Sequence, residues 1–177
     1  VMALGGDDGL VPGCFWKMYE IIKETGTALL TWKMHIYRYP DNGRTARFLV
    51  PKKQFDGYRF IKSTDFLNKI SKSFKYLIDE CPMFYVKGVA STDLVYRVKS
   101  RTPDGSFYYC PTPDGFSGVV LAGEVETFVY TCEPLSINGS TPKSQGLNYK
   151  RTDEQSRRES EQFFNDNVRR VMHRELA

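Results

Sequence analysis

The sequence predicts an α+β fold: an antiparallel sheet of about six or seven strands, two packed helices and a long C-terminal helix. Three observations lead there. Residues 30–37 alternate apolar and polar side chains with the period of a half-buried strand. Turn signals, Pro40-Asp41-Asn42-Gly43 and Pro103-Asp104-Gly105, punctuate the β-textured stretches, and short turns between sequence neighbours favour antiparallel pairing. Helical periodicity is confined to three segments.

Residues 1–11 are rich in Gly and Asp and read as a flexible N-terminal arm. Gly5-Gly6-Asp7-Asp8-Gly9 follows no strand and lacks the spaced ligands of a calcium loop, so it belongs to that arm. Pro12 suits a first helical turn, and a helix is expected from Gly13 to Lys23 with Gly26 as its stop. Its predicted apolar face is Phe15, Met18, Tyr19 and Ile22. In the strand that follows, Leu30, Trp32, Met34 and Ile36 point one way and Thr31, Lys33, His35 and Tyr37 the other. Residues 44–50 return as the second strand of a hairpin, because Asn-Gly tolerates positive φ.

A second helix is expected from Thr64 to Glu80, capped by Ser63 or Thr64 and ended at Cys81-Pro82. Leu67, Ile70, Phe74, Leu77, Ile78 and Cys81 form its stripe. From Met83 to Cys132 the texture is β, with strands expected at 83–89, 94–100, 106–110, about 117–122 and 124–131. Thr152-Asp153-Glu154-Gln155 reads as a capping box opening a helix that runs to about Glu175. The expected organisation is the arm at 1–11, an α+β domain at 12–133, an extended linker at 134–150 and the C-terminal helix at 151–177. Tyr37-Arg38 and Tyr96-Arg97 each lead towards a turn and a returning strand, a faint echo of a helix-plus-hairpin repeat.

The chain of 177 residues carries 25 Lys and Arg against 21 Asp and Glu, a net charge of +4. That balance is too mild for a nucleic-acid arm, and the Gly-aromatic motif of the common RNA-binding sheet is missing, so nucleic acid is not the expected partner. The charge is unevenly spread. Between Arg44 and Tyr76 nine basic residues face only Asp56 and Asp65. The expected basic face comprises Lys52, Lys53, Lys62, Lys69, Lys72 and Lys75, suited to an acidic partner surface. Aromatic residues make up 14% of the chain, and the run Phe107-Tyr108-Tyr109 would place rings on both faces of a strand, as interfaces often do.

Catalytic signatures are lacking: no phosphate loop, no dinucleotide glycine motif, no nucleophile elbow. With only His35 and His173, a multi-histidine metal site cannot form, and no metal is expected. Cys14, Cys81, Cys110 and Cys132 form no Cys-x-x-Cys pair, and four free thiols are favoured over two disulfides. Asn138-Gly139-Ser140 is a glycosylation sequon. No apolar run is long enough for a membrane-spanning helix. The opening Val1-Met2-Ala3 fits removal of a secretory or organelle-targeting segment, and a plastid location is one option.

By elimination, the sequence points to a noncatalytic structural or adapter subunit of a larger assembly, with acidic protein surfaces as partners. The tail stripe Phe164, Val168 and Val171 is the expected contact with a neighbouring subunit. The alternative is a carrier of a small ligand or pigment held covalently at Cys14, Cys81, Cys110 or Cys132. A second alternative is an enzyme of unrecognised type.

Overall fold

The computed structural model describes residues 1–41, 43–72, 79–108, 113–141 and 153–167. In chain order it forms β1 (Gly9–Leu10), α1 (Cys14–Thr25), β2 (Leu29–Arg38), β3 (Arg47–Leu49), β4 (Tyr58–Lys62) and α2 (Ser63–Lys72). An irregular turn α3 (Phe84–Lys87), β5 (Gly88–Ala90), α4 (Thr92–Ser100), α5 (Pro113–Gly123), β6 (Thr127–Ser140) and α6 (Glu154–Asn167) follow.

The sheet is mixed, which corrects the antiparallel expectation. Its two long strands, β2 and β6, lie side by side and parallel. The shorter strands run antiparallel along their outer edges: β5 and then β3 against β2, β4 and then β1 against β6. A parallel pair requires a long crossover, and here everything from β3 to α5 forms it. Pairing sequence neighbours as hairpins could not reveal this. The hairpin signal at 40–43 does hold, with Gly43 at φ 79° and Ile36 opposite Leu49.

Helices cover both sheet faces. On one, α1 packs Cys14, Met18 and Ile21 onto Leu30, Trp32, Val129 and Leu135. On the other, α2, α4 and α5 pack Phe66, Leu94, Val98 and Leu121 onto Leu29, Ala90 and Phe128. Strands covered on both faces are apolar at both parities, as Leu29-Leu30 and Phe128-Val129 are. The polar parity of β2 is therefore not solvated: Thr31 and Lys33 are buried.

Two expected strands are helices. Residues 94–100 belong to α4, where the Ser91 hydroxyl accepts the Leu94 N–H at 3.2 Å and caps the first turn. Leu94 and Val98, one turn apart, are its buried positions. Residues 117–122 belong to α5, whose buried set is Ser117, Gly118, Leu121 and Ala122, a helical face that Val119 and Val120 disguised as β. Residues 83–87 form an irregular turn, with Tyr85 and Val86 at non-helical backbone angles, that leads into the short β5, and 106–108 form no strand. The helix–hairpin echo dissolves, since Tyr37-Arg38 is strand and Tyr96-Arg97 is helix.

β6 runs through the start of the expected linker, to Ser140. Between Thr131 and Ser136 it advances five residues while β2 advances only two, from Trp32 to Met34. Pro134 sits in this bulge, where its missing N–H costs no ladder bond. The expected flexible arm is tied down. Gly9 and Leu10 pair with Ile137 and Ser136, and Ala3 bridges Tyr85.

The last helix is a short one over the described residues, where a long one was expected: α6 spans 14 residues, Glu154–Asn167, and the expected continuation to Glu175 lies outside the described residues. Its cap is Asp153, whose carboxylate accepts the Ser156 N–H at 2.9 Å, and not Thr152 as the capping-box pattern implied. Ser156 and Ser160, one turn apart, are buried in its otherwise charged first half. Among the described residues no helix is long and apolar enough to cross a membrane.

Candidate interaction surface

The most unusual chemistry is buried and was not legible as such. Lys33 Nζ pairs with Asp79 Oδ2 at 3.0 Å and donates to the Lys52 carbonyl at 3.1 Å. Lys87 Nζ donates to the Asp79 carbonyl, and its burial pulls the ammonium pKa down to about 8. Burial pushes the nearby Cys81 thiol up to about 11. Thr31 Oγ1 donates to the Lys87 carbonyl at 2.8 Å, with the Cys81 carbonyl 3.2 Å away. These bonds fasten residues 79–88 onto β2. Lys33 and Lys87 look like surface lysines in the sequence; the only signal against that was a strand neighbourhood apolar at both parities.

A second polar knot anchors the N-terminal residues. Asp8 accepts the N–H groups of Gly5 at 2.8 Å and Gly139 at 2.9 Å, and the Asn138 side-chain amide at 3.4 Å. The sequon asparagine is thus engaged within β6. The Tyr85 phenol pKa is raised by burial and then by its hydrogen bond to Asp8. Burial, and then the charge of Asp8, raise the nearby Asp114 carboxyl to about 6. Among the described residues no group of three or more His, Cys, Asp or Glu is placed to hold a metal.

Cys14, Cys81 and Cys132 are free thiols and all are buried, so the exposure that covalent carriage of a pigment requires is not met at them. Cys110 lies outside the described residues. An open cleft of about 630 Å³ between α1 and β4 is lined by Lys17, Glu20, Lys23, Glu24, Tyr58 and Glu133. Its charges already answer one another: Lys17 reaches Glu20 at 3.9 Å and Glu133 at 3.7 Å.

The lysines expected to form one basic face are dispersed. Lys53 pairs with Asp56, and Lys69 with Glu80 at 2.9 Å. Lys52 and Lys72 are exposed. Lys62 ends β4, whose Tyr58 packs on the α1 side, whereas Lys69 sits on α2 across the sheet. Lys75, Val168 and Val171 lie outside the described residues, as does the side chain of Phe164.

The aromatic reading is redistributed too. Phe107 stacks on Phe84 at 5.1 Å within the core, and Phe128 is fully buried against Phe66. Tyr109 lies outside the described residues. Tyr108 is 37% exposed, and more exposed rings lie on α1. On α1 the buried stripe is Cys14, Met18 and Ile21, not Phe15, Met18, Tyr19 and Ile22. Small Cys14 lets the helix start lie close to the sheet, and Phe15, Trp16 and Tyr19 are left 66%, 67% and 53% exposed.

Exposed apolar and basic groups coincide on α1, where Lys23 lies over the Tyr19 ring, and at the β2–β3 hairpin. The hairpin register sets Tyr37 opposite Phe48 and Arg38 opposite Arg47. Strand alternation then divides the hairpin into two faces. One carries Ile36, Arg38, Arg47 and Leu49. The other carries His35, Tyr37, Tyr39 and Phe48, with the His35 and Phe48 rings 4.9 Å apart and Tyr37 edge-on to Tyr39 at 4.7 Å. Like charges placed directly across a strand pair repel, and among the described residues no carboxylate bridges Arg38 and Arg47. Phe48 and Val50 are 50% and 68% exposed. The turn at 40–43 held the signal: a hairpin closed there puts residues 38 and 47 face to face.

No protein-family model matches this sequence, and no curated protein matches it either.

Proposed function

We propose that this chain is a noncatalytic adapter subunit that binds an acidic protein surface through the β2–β3 hairpin. The supporting observation is the opposed, exposed pair Arg38 and Arg47. Two guanidinium groups held side by side without a carboxylate cost the free protein stability. They become favourable when a partner carboxylate bridges them, because Arg forks pair bidentately with carboxylates. The exposed Phe48, Leu49 and Val50 beside them supply the apolar area that an interface core needs.

The test is Arg38→Glu. The new carboxylate lies opposite Arg47, so the fold should gain roughly 0.2–1 kcal/mol. Binding should fall at the same time. Native co-purification with mass spectrometry, run at low and high salt, reads the second effect, and urea unfolding reads the first. A variant that keeps its partners at unchanged affinity refutes the proposal.

A further inference from the structure

We infer that the partner of the hairpin docks by adding an extended acidic strand to the free edge of β3. This rests on the adapter reading and names the form its partner takes. β3 ends the sheet order and pairs with β2 on one side only. Arg47, Phe48 and Leu49 are all exposed, so neither face nor outer edge is covered by any described element. Such an edge offers unpaired N–H and C=O groups as a template for another chain. Proline, a common guard of edges, comes only at Pro51, after the strand has ended.

The charge selects the occupant. A second copy would bring a further cluster of Arg38, Arg44 and Arg47 to the same edge, a like-charge approach that disfavours self-pairing. An acidic strand meets the opposite situation. Side chains alternate, so the partner residue beside Arg47 shares the face of Arg38 and Arg47 and should carry a carboxylate. Its neighbour, beside Phe48, lies on the aromatic face and should be apolar. The next, beside Leu49, is again apolar. The recognised element is therefore one acidic residue followed by two apolar ones, in an extended segment, read in whichever direction it pairs.

The probes are two capped heptapeptides, Ser-Thr-Glu-Val-Ile-Thr-Ser for parallel pairing and Ser-Thr-Ile-Val-Glu-Thr-Ser for antiparallel pairing, each titrated into the full chain by calorimetry, with amide hydrogen exchange on the complex; the tighter binder is the parent. Its controls are the Glu-to-Lys peptide and two versions N-methylated on alternate amides. Strand addition predicts that the parent binds and the Lys peptide does not. It further predicts that one methylated version loses at least about tenfold in affinity while the other does not. Amides within Arg47–Leu49 should become protected. If both methylated versions bind as the parent does, with no new protection, docking is by side chains alone; the inference fails and the adapter reading stands. If neither peptide binds, the inference fails, and Arg38→Glu co-purification separately decides the adapter reading.

Discussion

Lys87 and Cys81 are neighbours whose burial pushes their pKa values in opposite directions, and this shapes alkaline stability. Lys87 has a folded pKa of about 8, against 10.5 when unfolded. Above pH 8 the unfolded chain holds more protons at this group, so stability rises with pH. Cys81 has a folded pKa of about 11 against 9.0, so above pH 9 its contribution falls as the unfolded thiol ionises first. Unfolding free energy should therefore climb by about 1 kcal/mol from pH 8 to 9 and then flatten or turn over. Lys87→Met should abolish the climb and leave only the fall, measured by urea denaturation across that range. Asp114 acts in acid. Its carboxyl is raised from 3.8 to about 6, so its contribution is fully favourable below pH 3.8 and is lost as pH rises through 6. Asp114→Asn should remove that loss, read as a flatter stability profile between pH 4 and 6.

The helices α4 and α5 can each be tested at the feature that makes them helical. Ser91 caps α4, and Ser91→Ala should cost about 1 kcal/mol without moving the fold. Gly118 in α5 rests on Cys81: a Cβ there would collide with the Cys81 sulfur. Gly118→Ala should therefore cost about 1–3 kcal/mol by overpacking. The same change made in a Cys81→Ala background should cost markedly less, because the colliding atom is gone. Denaturant unfolding of the four variants closes that cycle, and equal costs in both backgrounds would refute the contact. Both helices escaped the sequence reading for one reason. Each is short, carries a pair of valines and stands beside turn signals, so the pairs that define its face competed with an apparent strand alternation.

Across the whole molecule, stability should follow the topology. Leu30 and Thr31 lie between β5 and β6, and Val129 to Thr131 between β2 and β4, all within the doubly covered part of the sheet. Their amides should exchange most slowly, near the global unfolding limit. β3, paired on one side and exposed on both faces, should exchange orders of magnitude faster. Hydrogen-exchange mass spectrometry with peptides resolving 29–33, 44–50 and 127–132 distinguishes these regions. Uniform protection across all three would contradict a core centred on the β2–β6 pair.

Local chemistry was set by the sequence alone. The Gly26 stop of α1 at φ 64° and the turn at Gly43 depend on residues within a few positions of one another, whereas the Ser63 hydroxyl, expected to cap α2, is buried without a partner among the described residues and its N–H bonds the Glu126 carbonyl. The hairpin register followed from the turn, and with it the Arg38–Arg47 pair, because a closed loop fixes which residues face each other. Tertiary structure decided what depends on distant partners. Whether Thr31 and Lys33 meet water or protein depends on residues 79–88 and the Lys52 carbonyl lying against that face of β2. Which residues of α1 are buried depends on where Trp32 and Leu135 stand beneath it. That β6 runs parallel to β2 depends on a crossover of many residues, whose closure is driven by apolar burial on both sheet faces and carries no local sequence mark.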